Sequence, residues 1–161
     1  MYRAGHYGVS LLVYAPVLAL LVTIGHPTAA FAGALGVLAL TPLPDYDQRI
    51  PFVSHRGSTH TLAFAWLVGA ALAAVVLVVP GIDPSVQTPL GGFALFVGVY
   101  GITAHLLGDV ITPSGVAFLW PLSSKRYSLD LVGASNRIAN YLLFALGVFA
   151  TAVAVVATAQ F

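Results

Sequence analysis

Five long apolar stretches, separated by short polar or proline-containing segments, dominate the chain. They cover residues 8–25, 28–43, 59–79, 92–111 and 138–158. A helix needs roughly 20 residues to cross the hydrocarbon layer, with a lower limit near 17, so the second stretch is short for a span. The pattern predicts an all-α polytopic membrane bundle of about five transmembrane helices in a single domain, residues 1–161. We expect the first stretch to be a retained helix and not a cleaved leader.

Composition agrees with a membrane protein. Hydrophobic residues make up 59% of the chain, charged residues only 7%, and the mean hydropathy is +0.95, whereas soluble domains carry about 25% charged residues. The formal net charge of +1 is too small to indicate a nucleic-acid partner. The absence of cysteine excludes disulfides and thiolate metal sites.

The basic residues fix a predicted orientation. If all five stretches cross, every lysine and arginine falls on the face that holds the N-terminus: Arg3, Arg49, Arg56, Lys125, Arg126 and Arg137. The positive-inside rule makes that face cytoplasmic. We therefore predict a multi-pass protein of the cell (inner) membrane, with its N-terminus in the cytoplasm and its C-terminus outside.

Two histidines interrupt the apolar pattern around the start of the third stretch. His55 and His60 lie five residues apart, and imidazole is the commonest metal ligand in proteins. We predict that His60 falls in the first turn of the third helix, capped by Ser58 or Thr59, and that a turn at Gly57 brings His55 beside it. The alternative is a pair of interfacial polar residues that frame a helix start.

Further candidate ligands lie on the same predicted face. His105 and Asp109 are spaced i to i+4, so they share one side of the fourth helix. They can act as two metal ligands, as one ligand with its supporting carboxylate, or as a purely structural pair. Asp45 and Asp47 alternate, so in an extended segment both carboxylates can face one site; the alternative is a solvated turn. His6 precedes the first predicted helix, and alone it would be an interfacial histidine.

A histidine and aspartate set without cysteine suits a transition metal. It favours Zn, with Mn or Fe as alternatives, over Ca or Mg, and it can serve one or two ions. Such a metal polarises a scissile bond and lowers the pKa of bound water.

The order of these motifs resembles the YdjM-like family of bacterial and archaeal inner-membrane proteins. The matching segments are Pro44-Asp45-x-Asp47, His55-Arg56-Gly57-x-Thr59-His60-Thr61, His105-x-x-x-Asp109-x-x-Thr112-x-x-Gly115 and Leu119-Trp120-Pro121. The resemblance implies a membrane-bound metal-dependent hydrolase, acting through metal-activated water at the cytoplasmic face on a lipid or another amphiphilic phosphoester. Enzymes of that type often add a glutamate ligand, and this chain contains no glutamate, so the general base stays open.

Residue roles follow from that hypothesis. His55, Asp109 and Arg56 are the candidate catalytic residues, with Arg56 steadying an anionic substrate. The candidate metal ligands are His6, Asp45, Asp47, His55, His60, His105 and Asp109. Two alternatives use the same residues: a proton- or metal-coupled transporter, and a non-catalytic membrane protein with a structural metal. The sequence leaves the substrate and the oligomeric state open.

Overall fold

The predicted all-α architecture is confirmed in a computed structural model, which describes residues 1–52 and 54–159. Two 3-10 turns, Pro44–Arg49 and Ser58–His60, lie between the second and third helices. The five helices are α1 (Arg3–Thr23), α2 (Pro27–Leu40), α3 (Leu62–Val78), α4 (Pro84–Val110) and α5 (Arg137–Thr158).

Length and composition allow most of these segments to cross a membrane. Four are long and apolar enough: Arg3–Thr23, Pro27–Arg49, Pro84–Val110 and Arg137–Thr158. The helix α3 is also apolar but has 17 residues, and α2 is the shortest helix at 14 residues. The second span is therefore short as a helix, as predicted, and the turn that follows it extends the segment.

Successive helices alternate in direction, which brings one end of each of the five helices to the same side. In the α1–α2 pair, the Tyr14 hydroxyl donates to the Ala30 carbonyl at 3.2 Å and Thr41 donates to Ser10 at 2.9 Å. At the side of the bundle where α1 begins, α2 and α4 end and α3 and α5 begin. We call this side the site end.

Two helices begin earlier than the apolar pattern predicted. The first was expected from residue 8 and begins at Arg3, so His6 lies inside α1 and not before it. Its first turn is held by tertiary contact, since the backbone N–H of Tyr2 donates to Asn140 Oδ1 at 2.9 Å. The fourth was expected from residue 92 and begins at Pro84, because Asp83 caps it by accepting from the Ser85 N–H at 2.8 Å.

The prediction that His60 lies in the first turn of the third helix is wrong. His60 ends a separate 3-10 turn, and α3 begins at Leu62. Thr61 separates the two because its backbone is extended, with φ −134° and ψ 157°, and its hydroxyl accepts from the Phe64 N–H at 3.1 Å. The N-cap is therefore Thr61 and not Ser58 or Thr59.

Glycine allows α3 and α4 to approach backbone to backbone. A Cβ placed on Gly98 would overlap the Cα of Gly69 and lie 2.8 Å from its backbone nitrogen. Close approach at small residues is the usual means of packing helices in lipid, where no hydrophobic force drives helices together. This contact holds α3, which follows the turn that carries His60, against α4, which carries His105.

Candidate metal centre

Five side chains from four parts of the chain converge in the interior of the site end. His6 comes from α1, Asp45 from the turn after α2, His60 from the turn before α3, and His105 and Asp109 from the last turns of α4. Four of them are almost fully buried, and Asp45 is 19% exposed. The structure thus brings together residues separated by as many as 103 positions.

Four of their ligand atoms form a compact group. The Nε2 atoms of His60 and His105 are 3.3 Å apart. Asp109 Oδ2 lies 3.4 Å from each of those nitrogens, and Asp45 Oδ1 lies 3.5 Å from His60 Nε2 and 3.7 Å from His105 Nε2. Zn–N and Zn–O bonds of about 2.0–2.1 Å in a tetrahedron place neighbouring ligand atoms about 3.3–3.4 Å apart, so the spacing fits one such ion.

The tautomer of His105 follows from its other nitrogen. Its Nδ1 lies 2.8 Å from the backbone carbonyl oxygen of Thr41, and a carbonyl can only accept a hydrogen bond. Nδ1 therefore carries the proton, and the lone pair of Nε2 points at the centre. A backbone carbonyl that fixes the ring in this way is a common support of metal-binding histidines.

His60 is oriented by Thr59 and Asp47. The Thr59 hydroxyl donates its only proton to Asp47 Oδ2 at 2.8 Å, so its oxygen accepts from the Nδ1–H of His60 at 3.0 Å. Asp47 Oδ2 is also 3.3 Å from that nitrogen. His60 Nε2 is then a lone-pair donor as well. Burial lowers the pKa of the His60 imidazole below its ordinary value, which favours the neutral ring that a metal requires.

The centre therefore consists of acceptor atoms that face one another. The two imidazole lone pairs lie 3.3 Å apart, and each lies 3.4–3.7 Å from the oxygens of Asp45 and Asp109. Asp109 Oδ2 is buried and makes no hydrogen bond within residues 1–52 and 54–159. Desolvated acceptors without a donor are costly, and a cation in the middle would satisfy all four at once.

His6 completes one side of this group. Its ring stacks on His105 with centroids 3.8 Å apart, and its Nε2 lies 3.7 Å from Asp109 Oδ1 and 3.8 Å from Asp45 Oδ2. The nitrogen of Met1 is also 3.4 Å from Asp109 Oδ1. His6 can therefore supply a fifth ligand on the face where the two carboxylates approach each other.

Arg56 clamps Asp109 to the loop after α4. Its guanidinium donates to Asp109 Oδ1 at 2.6 Å and to Thr112 Oγ1 at 3.1 Å, and it reaches the Gly115 carbonyl at 3.4 Å. The clamp occupies one carboxylate oxygen of Asp109 and leaves the other for the centre. Three carboxylates, those of Asp45, Asp47 and Asp109, face two cationic groups, the Arg56 guanidinium and the Met1 ammonium, so the remaining negative charge also favours a bound cation.

Asp45 and Asp47 do not share a site in the way that an extended segment would allow. They lie in a 3-10 turn, where residues two apart point to different sides. Asp45 approaches Nε2 of His60, whereas Asp47 approaches Nδ1. The two carboxylates thus flank one imidazole from opposite edges.

His55 joins the cluster from the outside. Its Nδ1 lies 2.9 Å from Asp47 Oδ1, and its side chain is 42% exposed. Asp47, His55 and His60 have ligand atoms close enough for a second cation, yet the Nδ1 of His60 is engaged by Thr59. All seven predicted ligands are therefore gathered at the site end, five around one centre and two on its outer edge.

Two supporting groups were missed by sequence reasoning. The Thr41 carbonyl carries no sequence signal, because any residue supplies a backbone oxygen. Thr59 was considered only as a helix cap, although its place beside His60 could have indicated a hydrogen bond to the ring.

Comparisons with known proteins identify the family of this chain. The family described as YdjM inner membrane protein matches residues 1–161. The chain is 32% identical to the protein named Inner membrane protein YdjM in Escherichia coli (strain K12), over 66% of this chain and 59% of that protein, and the same values hold for its namesake in Shigella flexneri. The chain thus spans about 59% of the length of these relatives, and no solved structure matches it. With its whole length matched and several apolar helices, the chain belongs to the YdjM family of multi-pass inner membrane proteins.

Proposed function

We propose that this protein is a membrane-bound, metal-dependent hydrolase of a lipid or another amphiphilic phosphoester. The observation that carries the proposal is the buried group of acceptor atoms from His60, His105, Asp45 and Asp109, which lacks a proton donor at its centre. His6 is the fifth proposed ligand. The mixture of imidazole and carboxylate suits Zn, with Mn or Fe as alternatives, and the engaged Nδ1 of His60 favours a single ion.

The chemistry of such a site is metal-assisted hydrolysis. A divalent ion held by some of these residues, with a position left open for water, would polarise a phosphoryl oxygen and lower the pKa of the bound water to about 7. Asp109 presents one carboxylate oxygen to the centre while Arg56 holds the other. This contact favours a positioning role for Arg56 over the direct substrate contact expected from the sequence.

The outer edge of the cluster carries an acid and base group that reaches solvent. Asp47 accepts a hydrogen bond from His55 Nδ1 at 2.9 Å, and the exposed ring of His55 can exchange protons with water. His55 is therefore the proposed group that carries protons between the cluster and solvent. His55 would thus supply the general acid and base chemistry that a glutamate often supplies in enzymes of this type.

The position of the centre favours hydrolysis over transport. All proposed ligands lie at one end of the bundle, at the level of helix ends and not at mid-helix. A transporter needs access from both faces. Of the described residues at the opposite end, only His26 and Asp83 are ionisable, and both lie in turns.

A lipid-hydrolysis assay tests the proposal. Zinc-, manganese- or iron-loaded protein in lipid nanodiscs should release product from a panel of phospholipids and single-chain alkyl phosphates. A bound metal stabilises the transition state by several kcal/mol. We therefore expect the Asp109→Asn protein to hydrolyse these substrates about a thousand-fold more slowly than the wild type. A loaded wild-type protein that hydrolyses none of these substrates contradicts the proposal.

The orientation in the membrane is also proposed, from charge. All six lysines and arginines lie at the site end, and the positive-inside rule then makes this end cytoplasmic. Because the chain has no cysteine, single-cysteine probes report orientation cleanly. An impermeant maleimide should label His26→Cys in intact spheroplasts and Ser124→Cys only after permeabilisation. The reverse pattern would place the centre outside.

A further inference from the structure

The centre opens towards one cavity. Of the five proposed ligands, His6, His60, His105 and Asp109 have side chains 0–2% exposed, whereas Asp45 is 19% exposed. Asp45 also lines a cavity of about 410 Å³, together with Met1, Tyr2, Arg3, Gln48 and Arg49. A molecule that reaches the centre by this opening must therefore pass this cavity.

Two arginines line the cavity, and each lies within four residues of a proposed ligand. Arg3 precedes His6 by three positions on α1, a spacing that places both on one side of an α-helix. Arg49 ends the 3-10 turn that carries Asp45, and both residues line the cavity. Each segment thus presents a ligand to the centre and a guanidinium to the cavity.

Both guanidiniums are available for an anion. Within the described residues, neither Arg3 nor Arg49 forms an ion pair or hydrogen bond through its side chain, while Arg56 is fully engaged with Asp109 and Thr112. Arg49 is steadied by the Tyr46 ring, with Cζ 5.2 Å from the ring centroid. A cation–π contact of this kind holds the arginine without neutralising its charge.

We infer that this cavity binds the phosphate of an anionic amphiphile through Arg3 and Arg49, delivering it to the metal centre beside Asp45. Guanidinium forks bind phosphate oxygens in pairs. The cavity has room for a headgroup but not for acyl chains, which would stay in the bilayer. The interpretation of this cavity as a substrate site rests on the proposed function. The binding of phosphate to the cavity can be measured without any hydrolysis.

Binding measurements on the zinc-loaded protein in neutral detergent test the inference. The probes are short-chain phosphatidate, inorganic phosphate and the matching uncharged diacylglycerol. Arg49→Gln and Arg3→Gln should each weaken phosphatidate binding by about tenfold or more. Arg49→Lys, which keeps the charge and loses the fork, should recover part of that loss. Lys125→Gln is the matched control, because Lys125 lies at the site end but lines neither this cavity nor the neighbouring one that Arg3 shares with Arg137.

The probes separate the possible sources of phosphate. Phosphatidate that binds more tightly than inorganic phosphate supports a lipid headgroup, and equal affinities support a soluble phosphate compound in the same cavity. The inference is overturned if diacylglycerol binds as well as phosphatidate. It is also overturned if Lys125→Gln weakens binding as much as Arg49→Gln, since the effect would then be one of general charge.

A failure of the cavity assignment can be distinguished from a failure of the proposed hydrolase function. If lipid is hydrolysed but neither the dissociation constant nor KM responds to Arg3→Gln and Arg49→Gln, only the cavity assignment falls. If phosphatidate binding depends on both arginines and no substrate is hydrolysed, only the hydrolase proposal falls.

Discussion

Purified His60→Ala protein is expected to lose its metal, with an affinity at least about a hundredfold below that of the wild type. Structural zinc sites contribute about 10–16 kcal/mol through four ligands, or roughly 3 kcal/mol for each, and His60 Nε2 is central to the acceptor group. The measurement is metal content by elemental analysis after dialysis against a competing chelator of known affinity.

Two further variants make this result specific. Asp47→Ala removes the group that orients His60 without removing a ligand, so we expect a smaller loss, about 10–100-fold. His26→Ala is the matched control, because His26 lies at the opposite end of the bundle and its side chain caps no helix. Equal metal content in His60→Ala and His26→Ala would remove the basis for the centre.

Gly98→Ala is expected to destabilise the bundle by at least about 2 kcal/mol, because its Cβ would overlap the backbone of Gly69. A backbone cannot move aside as a flexible side chain can, so α3 and α4 must separate. For a chain of this size the loss corresponds to roughly 4–8 °C in the midpoint of thermal unfolding. The unfolding of detergent-solubilised protein, followed by circular dichroism, measures it.

The same substitution in the same helix supplies the control. A Cβ on Gly92 would meet nothing within 4 Å, and alanine favours a helix over glycine by up to about 1 kcal/mol. We therefore expect Gly92→Ala to be neutral or stabilising. Similar losses in both variants would mean that helix propensity, and not the α3–α4 contact, governs the effect.

The helices could be predicted from sequence because lipid imposes a simple rule. Every backbone group in the hydrocarbon must be paired within its own segment, so long apolar stretches such as 138–158 become helices. The starts were less predictable, since they depend on local caps and distant partners. Asp83 begins α4 through a side-chain hydrogen bond, and Tyr2 is fixed by Asn140 from the other end of the chain.

The members of the candidate site were predictable, but their arrangement was not. Ionisable residues are rare in membrane segments and usually have a function, which is why His105 and Asp109 stood out. Which carboxylate faces which nitrogen depends on backbone detail. A 3-10 turn in place of an extended segment sent Asp45 and Asp47 to opposite edges of His60, and no periodicity in the sequence reveals that choice.

X-ray absorption spectroscopy of the purified, metal-loaded protein observes the proposed centre itself. We expect one divalent transition metal per chain, with nitrogen and oxygen ligands at about 2.0–2.1 Å and the outer-shell scattering of two or three imidazoles. A spectrum without imidazole scattering, or protein that retains no metal after loading, would mean that these residues do not form a metal centre.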